Sequence, residues 1–179
     1  MKILLLGASG AFGTALEKVC EEKGIECISP KHEELDITDC EKVKTDVIKY
    51  KPDVVVNSVA MVGINLCEIE PEKAFKINGI AVLKLAKICE ENKIVLVQPS
   101  THAIFDGTKK GYYTEEDTPK PAGVYAVSKY AAECFARNFC TRHYVIRFPT
   151  LFGPRRNNSM GFVDKVISNF QLIADVESL

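Results

Sequence analysis

Apolar residues in this chain fall into short unbroken runs, and the stretches between them carry a helical period. The runs KILLL (2–6), IECI (25–28), DVVVN (53–57), KIVLVQ (93–98) and HYVIR (143–147) have strand length, and several lack the polar alternation of a half-exposed sheet. Strands that read this way are buried on both faces, as in a parallel sheet covered by helices. The intervening stretches predict helices at about 11–23, 39–50, 71–91 and 123–140. In the third, Phe75, Val82, Leu85 and Cys89 recur near helical spacing, and Pro71 suits a first-turn position. Strand and helix in alternation predict an α/β fold, a doubly wound parallel sheet with right-handed crossovers. One long irregular stretch remains, 99–121, with Gly107, Gly111, Pro119 and Pro121. Loops of that length inside compact domains tend to be functional.

Length and composition narrow the partners. At 179 residues the chain suffices for one core and falls short of two ordinary domains. A net charge of −1 gives no electrostatic reason to expect nucleic acid or an anionic membrane surface. The seven cysteines, an odd number without a C-x-x-C pair, read as reduced thiols in a cytoplasmic protein, with neither disulfide nor structural metal expected. The opening KILLLG is too short for a signal peptide or a membrane span and reads as the first strand. A small molecule or another protein is the expected partner.

The segment GASGAFG (7–13) follows the first strand and opens the first helix. Gly7, Gly10 and Gly13, with Ser9 and Phe12 between them, suit a tight turn, a close approach to a pyrophosphate and packing of helix on sheet. The helix N-terminus adds free amides and partial positive charge. This predicts a Rossmann-type dinucleotide site, although the spacing G-x-x-G-x-x-G differs from the commoner G-x-G-x-x-G. Past the second strand stand Lys31 and His32 instead of a carboxylate for a ribose hydroxyl, which favours NADP(H) over NAD(H). In GVYAVSKYAAE (123–133), Tyr125 precedes Lys129 by four residues, so phenol and ammonium share one helix face. Spacing alone leaves this pair open between chemistry and a solvated surface.

Taken in order, the glycine loop, LDITD (35–39), VVNSVA (55–60), PSTHAIFDG (99–107), Tyr125 with Lys129, and RFPTLFGPRR (147–156) resemble the extended short-chain dehydrogenase/reductase family. Within it the chain is most similar to the dTDP-4-dehydrorhamnose reductase branch. The resemblance implies that Asp36 and Ile37 contact the adenine and that Ser58, Val59 and Ala60 line the cofactor. It implies Thr101, or its neighbour Ser100, as the hydroxyl that polarises a substrate carbonyl, Tyr125 as the acid/base and Lys129 as its partner. A free tyrosine has a pKa near ~10, and a nearby ammonium is expected to lower it. Lys129 is also expected to reach a ribose hydroxyl. Hydride transfer from a nicotinamide with proton delivery by the tyrosine then reduces a ketone without a metal.

Departures from the family pattern concern the substrate. Where the reductases read Ser-Thr-Asp-Tyr-Val-Phe this chain reads STHAIF, so His102 and Ala103 replace an acid and an aromatic. Thr150 stands where they carry a tryptophan. LFGPRR resembles a turn common among sugar-nucleotide epimerases and dehydratases, which makes Arg155 and Arg156 candidates for a substrate diphosphate. Family members continue well beyond this length. Residues 1–179 are accordingly expected to form a dinucleotide-binding domain, with about 148–179 beginning a substrate lobe that is mostly absent. The expected function is reduction of a 4-keto nucleotide sugar. Epimerase or dehydratase chemistry, and a non-catalytic NADP-binding regulatory subunit, are the alternatives, and a homo-oligomer or partner subunit suits the missing lobe.

Overall fold

The computed structural model describes residues 1–155, 160, 161 and 163–168. Five strands, β1 (Lys2–Leu6), β2 (Glu26–Ile28), β3 (Val54–Asn57), β4 (Val95–Thr101) and β5 (His143–Phe148), form one parallel sheet in the order β2-β1-β3-β4-β5. The α/β class and each apolar run are where the pattern predicted them. One boundary moves: β4 starts later and runs on to Thr101, so residues 99–101 of the expected irregular stretch are strand. The cause is unequal pairing. β3 pairs with β4 only over Val95–Val97, whereas β5 continues alongside to Thr101. Pro99, which has no N–H to give, sits beyond the end of the β3 ladder, where such a residue is tolerated.

Helices α1 (Ala11–Glu22) and α2 (Cys40–Tyr50) match the expectation, and Asp39 caps α2 by accepting from the Lys42 N–H at 3.0 Å. The single helix expected over 71–91 is instead α4 (Pro71–Phe75), a π-helical turn (Lys76–Ile80) and α5 (Ala81–Glu91), preceded by an unexpected α3 (Ile64–Ile69). Helix α3 is invisible to periodicity because Ile64, Leu66 and Ile69 are all exposed and only Cys67 is buried. The π turn carries Asn78 into the interior, where its side chain is 1% exposed. After a short 3-10 turn (His102–Ile104), α6 (Gly123–Phe139) leads into β5, and residues 163–168 are again helical.

Strand alternation divides the core. Leu4, Leu6, Val55 and Leu96 face α2, α5 and α6, while Ile3, Leu5 and Val56 face α1 through Cys20, Phe12 and Leu16. Helices on both faces of a parallel sheet leave its C-terminal edge as the open end, where such folds bind ligands. On β5, Val145 packs on the core while Tyr144 and Ile146 are exposed. Among the described residues no helix is long and apolar enough to cross a membrane.

Candidate active site

The three loop glycines have three different reasons. Gly7 has φ +82°, and a Cβ there would stand 2.8 Å from the Ser58–Val59 peptide, so the loop lies directly against the turn after β3. A Cβ on Gly13 would be 2.4 Å from the Gly7 carbonyl oxygen, which locks the first turn of α1 onto the loop. Gly10, by contrast, has ordinary extended backbone, and its Cβ would meet only the Gly7 oxygen at 3.7 Å. The fold does not require a glycine at that position. It caps α1 without a side chain, and no acidic residue stands in the first turn, so the helix start offers bare amides to an anion. Ser9 beside it is exposed, and the Phe12 ring reaches Phe148 at the end of β5, centroids 5.1 Å apart.

Beyond β2, Lys31 is exposed and its N–H is held by Glu34 Oε2 at 2.8 Å. Asp36 accepts from the Thr38 N–H at 2.8 Å. That bond, opposed by desolvation and aided by the Thr38 hydroxyl, His32 and Lys76, holds its carboxyl below the usual range. Ile37 departs from expectation: its side chain is 4% exposed in the core with Leu35, Val43 and Val47, so only its backbone is left for an adenine contact. Ser58, Val59 and Ala60 are half-buried in the turn beneath Gly7.

The ends of β4 and α6 bring the proton-active groups together. Thr101 is buried at the last position of β4; its Oγ1 accepts from the Ala103 N–H at 3.1 Å and the same hydroxyl lies against the Tyr125 phenol. Burial pushes the Tyr125 phenol above its ordinary pKa, Thr101 pulls it partly back, and Cys67 pushes it up again. This corrects the expectation of an ammonium-lowered phenol: desolvation dominates, and the side chain is held protonated. Lys129, 5% exposed, donates from Nζ to the Pro99 carbonyl at 2.8 Å. Burial lowers it to about 8 against the opposing charge of Glu133. Glu133 is itself fully buried and receives Arg147 on both oxygens, the shortest contact 2.8 Å, with Arg137 at 3.4 Å. The neighbouring Ser100 Oγ is buried without a hydrogen-bond partner among the described residues.

Sequence reasoning missed the residues that brace this cluster. Gln98 Nε2 donates to the same Pro99 oxygen at 3.0 Å, Asn57 Nδ2 donates to Gln98 Oε1 at 2.8 Å, and Asn57 Oδ1 accepts from the Val59 N–H at 3.3 Å. Asn78, from the π turn, accepts from the Met61 N–H at 2.8 Å and donates to the Met61 carbonyl and to Ser128 Oγ, both at 3.0 Å. A π turn often marks a functional site. The available signal was polar residues closing apolar runs, Asn57 after VVV and Gln98 after IVLV, and Asn78 in an otherwise helical period.

On the substrate side, His102 is exposed and its Nδ1 lies 3.4 Å from the Phe148 carbonyl oxygen. It is a loop histidine bonded to backbone. A cavity of about 500 Å³ opens beside it, between the 102–115 segment and β5, with Phe105, Tyr113, Arg137 and Arg147 in its wall. Arg155 is half-buried and its Nε has no hydrogen-bond partner among the described residues, while Arg156 lies outside them.

Residues 1–176 match the family model described as the RmlD substrate binding domain. The chain belongs to this family. Among RmlD-family relatives it is 31% identical to a probable low-salt glycan biosynthesis reductase of Haloferax volcanii, over 94% of this chain and 60% of that protein. It is 33% identical to a dTDP-4-dehydrorhamnose reductase of Streptomyces griseus, over 92% of this chain and 53% of the relative. Among solved structures, a dTDP-4-dehydrorhamnose reductase of Clostridium acetobutylicum superposes with a TM-score of 0.90 at 32% identity, covering 96% of this chain and 60% of its own. A Bacillus anthracis dTDP-4-dehydrorhamnose reductase in complex with NADP gives 0.86 at 26%, covering 94% and 60%. The RmlD-family chain described here thus spans 53–60% of the length of these relatives.

Proposed function

We propose that this chain is the dinucleotide-binding and proton-donating part of a reductase that converts a 4-keto nucleotide sugar to the alcohol, with NADP(H) as cofactor. The observation that carries this reading is the Tyr125 phenol held against Thr101 at the C-terminal end of β4, with Lys129 one turn along the same helix. When bound, the reduced nicotinamide supplies the hydride. The chain's own part is to hold and move a proton. Tyr125, kept protonated by burial, gives its proton to the ketone oxygen as charge develops there, and the Thr101 hydroxyl steadies that charge. Lys129, with its ammonium near the working pH range, restores the phenol and offers a donor to the ribose.

The residues present fit a dinucleotide. Gly10 leaves bare backbone at the start of α1, which suits a pyrophosphate between Gly7 and Gly13 with Ser9 and Phe12 alongside. Asp36 and the Ile37 backbone suit the adenine, and the Ser58–Ala60 turn suits the inner ribose. Exposed Lys31 past β2 suits a 2′-phosphate, and the Bacillus anthracis relative was solved with NADP. Ser100, His102 and Arg155 are the substrate-side candidates, with Arg156 added from sequence. The relatives' greater length supports residues from about 148 onward as the start of a substrate lobe, and the exposure of Phe152, Val163 and Ile167 is in keeping with a surface that something covers. Reduction of nucleotide sugars carries with it a cytoplasmic location.

Titration with NADPH and NADH, followed by turnover on a panel of keto-sugar nucleotides, tests the reading. NADPH should bind more tightly, and Lys31→Asp should weaken NADPH more than NADH. Absence of binding to either dinucleotide would contradict it.

A further inference from the structure

We propose that Glu68 is a positioning residue of this site: from α3 its carboxylate caps the first turn of α6 and so fixes where Tyr125 stands. The inference rests on the assignment of Tyr125 above.

Helix α6 begins without a cap of its own. Ala122 at the N-cap position has no side-chain oxygen, and the first turn contains no acidic residue. The first N–H groups of a helix need partners from elsewhere. Glu68 Oε1 supplies one, accepting from the Val124 N–H at 2.7 Å across 56 residues of sequence. Gly123 shows that the carboxylate is built in. Its φ is +78°, and a Cβ there would stand 2.8 Å from Glu68 Oε1, so this glycine both turns the chain into the helix and clears room for the cap. The carboxylate charge also complements the positive end of the helix dipole.

The same short helix provides the floor under the tyrosine. Cys67 is fully buried, and with Met61 and Ala74 it packs beneath Val124 and Tyr125. Ile64, Leu66 and Ile69 of α3 point to solvent, so the helix is held through Cys67 and the bond from Glu68. Tyr125 follows the capped residue directly. A displacement near 1 Å at such a group is enough to cost about 100-fold in rate.

The test uses the whole chain labelled with 13C at tyrosine Cζ, the Tyr125 signal being assigned by its loss in Tyr125→Phe. In Glu68→Ala the Tyr125 titration midpoint should fall toward that of free tyrosine, because an opened first turn relieves the burial that raises it. Keto-sugar turnover should fall about tenfold, with dinucleotide affinity unchanged. Glu68→Gln keeps an acceptor oxygen and should return both quantities close to wild type. Gly123→Ala, which pushes the carboxylate aside without removing it, should reproduce the shift. An unmoved Tyr125 midpoint in both Glu68→Ala and Gly123→Ala, whatever their melting temperatures, overturns the proposal. Full turnover by Tyr125→Phe would instead remove the acid assignment, and the titration would still decide the cap.

Discussion

The Lys129 ammonium donates to the Pro99 carbonyl oxygen at 2.8 Å, and that oxygen also receives Gln98 Nε2 at 3.0 Å. The lysine is therefore seated on the end of β4, on a carbonyl at the point where the β3 ladder has already stopped. Through Gln98 and Asn57 the seat continues to the Val59 N–H, in the turn that lies under Gly7. A buried hydrogen-bonded chain of this kind couples the glycine loop to the helix that bears Tyr125, and it holds a cation where water cannot solvate it.

Burial of that cation makes stability depend on pH in a definite direction. Lys129 has a folded-state value of about 8 against an ordinary 10.5. Below pH 8 it is charged in both states and the full cost of burying it is present. Between 8 and 10.5 the unfolded chain binds more protons than the native one, so stability attributable to this group rises with pH. Melting curves of wild type and Lys129→Met should converge across that window, with Lys129→Met gaining most near neutrality. Parallel curves would contradict the assignment.

The loop glycines should separate binding from folding. The Cβ of Gly10→Val would meet only the Gly7 oxygen, at 3.7 Å, so the change should cost about 1 kcal/mol or less of stability while abolishing dinucleotide binding. Gly13→Ala forces a Cβ to within 2.6 Å of two backbone atoms and should destabilise the fold by about 1–3 kcal/mol. Calorimetry and thermal melts on the two variants check both. Retained affinity in Gly10→Val would place the phosphate elsewhere.

The sheet was legible in the sequence because strands buried on both faces print themselves as unbroken apolar runs. The glycine loop was legible because a strand precedes it and a helix follows. Helix α3 was not, since its apolar side chains face solvent and its placement comes from Cys67 and Glu68. The π turn was hidden for a similar reason: Asn78 is drawn inward by Met61, 17 residues away, and by Ser128 of α6, 50 residues away, contacts that exist only in the folded chain. The phenol's electrostatics were misjudged from spacing, because an i, i+4 lysine predicts proximity and says nothing about desolvation, which decides both Tyr125 and Lys129.

Removing the Asn78 side chain should expose how much the site depends on that bracing. Asn78→Leu leaves the Met61 N–H and C=O and Ser128 Oγ without their buried partner, at a cost of about 2–4 kcal/mol. Denaturant unfolding measures it. A loss under about 1 kcal/mol would mean that the π turn can relax and supply other partners.

The charge behind Lys129 is open to a similar test. Glu133→Gln removes the anion that favours the Lys129 ammonium and leaves Arg147 without its carboxylate, so stability should fall by about 3–5 kcal/mol. The same change should lower the Lys129 titration further. Nitrogen-15 NMR of the lysine ammonium reports the shift, and an upward movement would contradict the arrangement.

The most direct measurement compares wild type and Tyr125→Phe in NADPH-dependent reduction of a 4-keto nucleotide sugar, with dinucleotide affinity measured on both. The substitution keeps the ring that packs on Cys67 and Met61 and removes only the hydroxyl beside Thr101. If Tyr125 donates the proton, the rate falls by about 100-fold or more while affinity for NADPH stays as it was. Equal rates in the two proteins would contradict the account and turn attention to His102 as the proton donor.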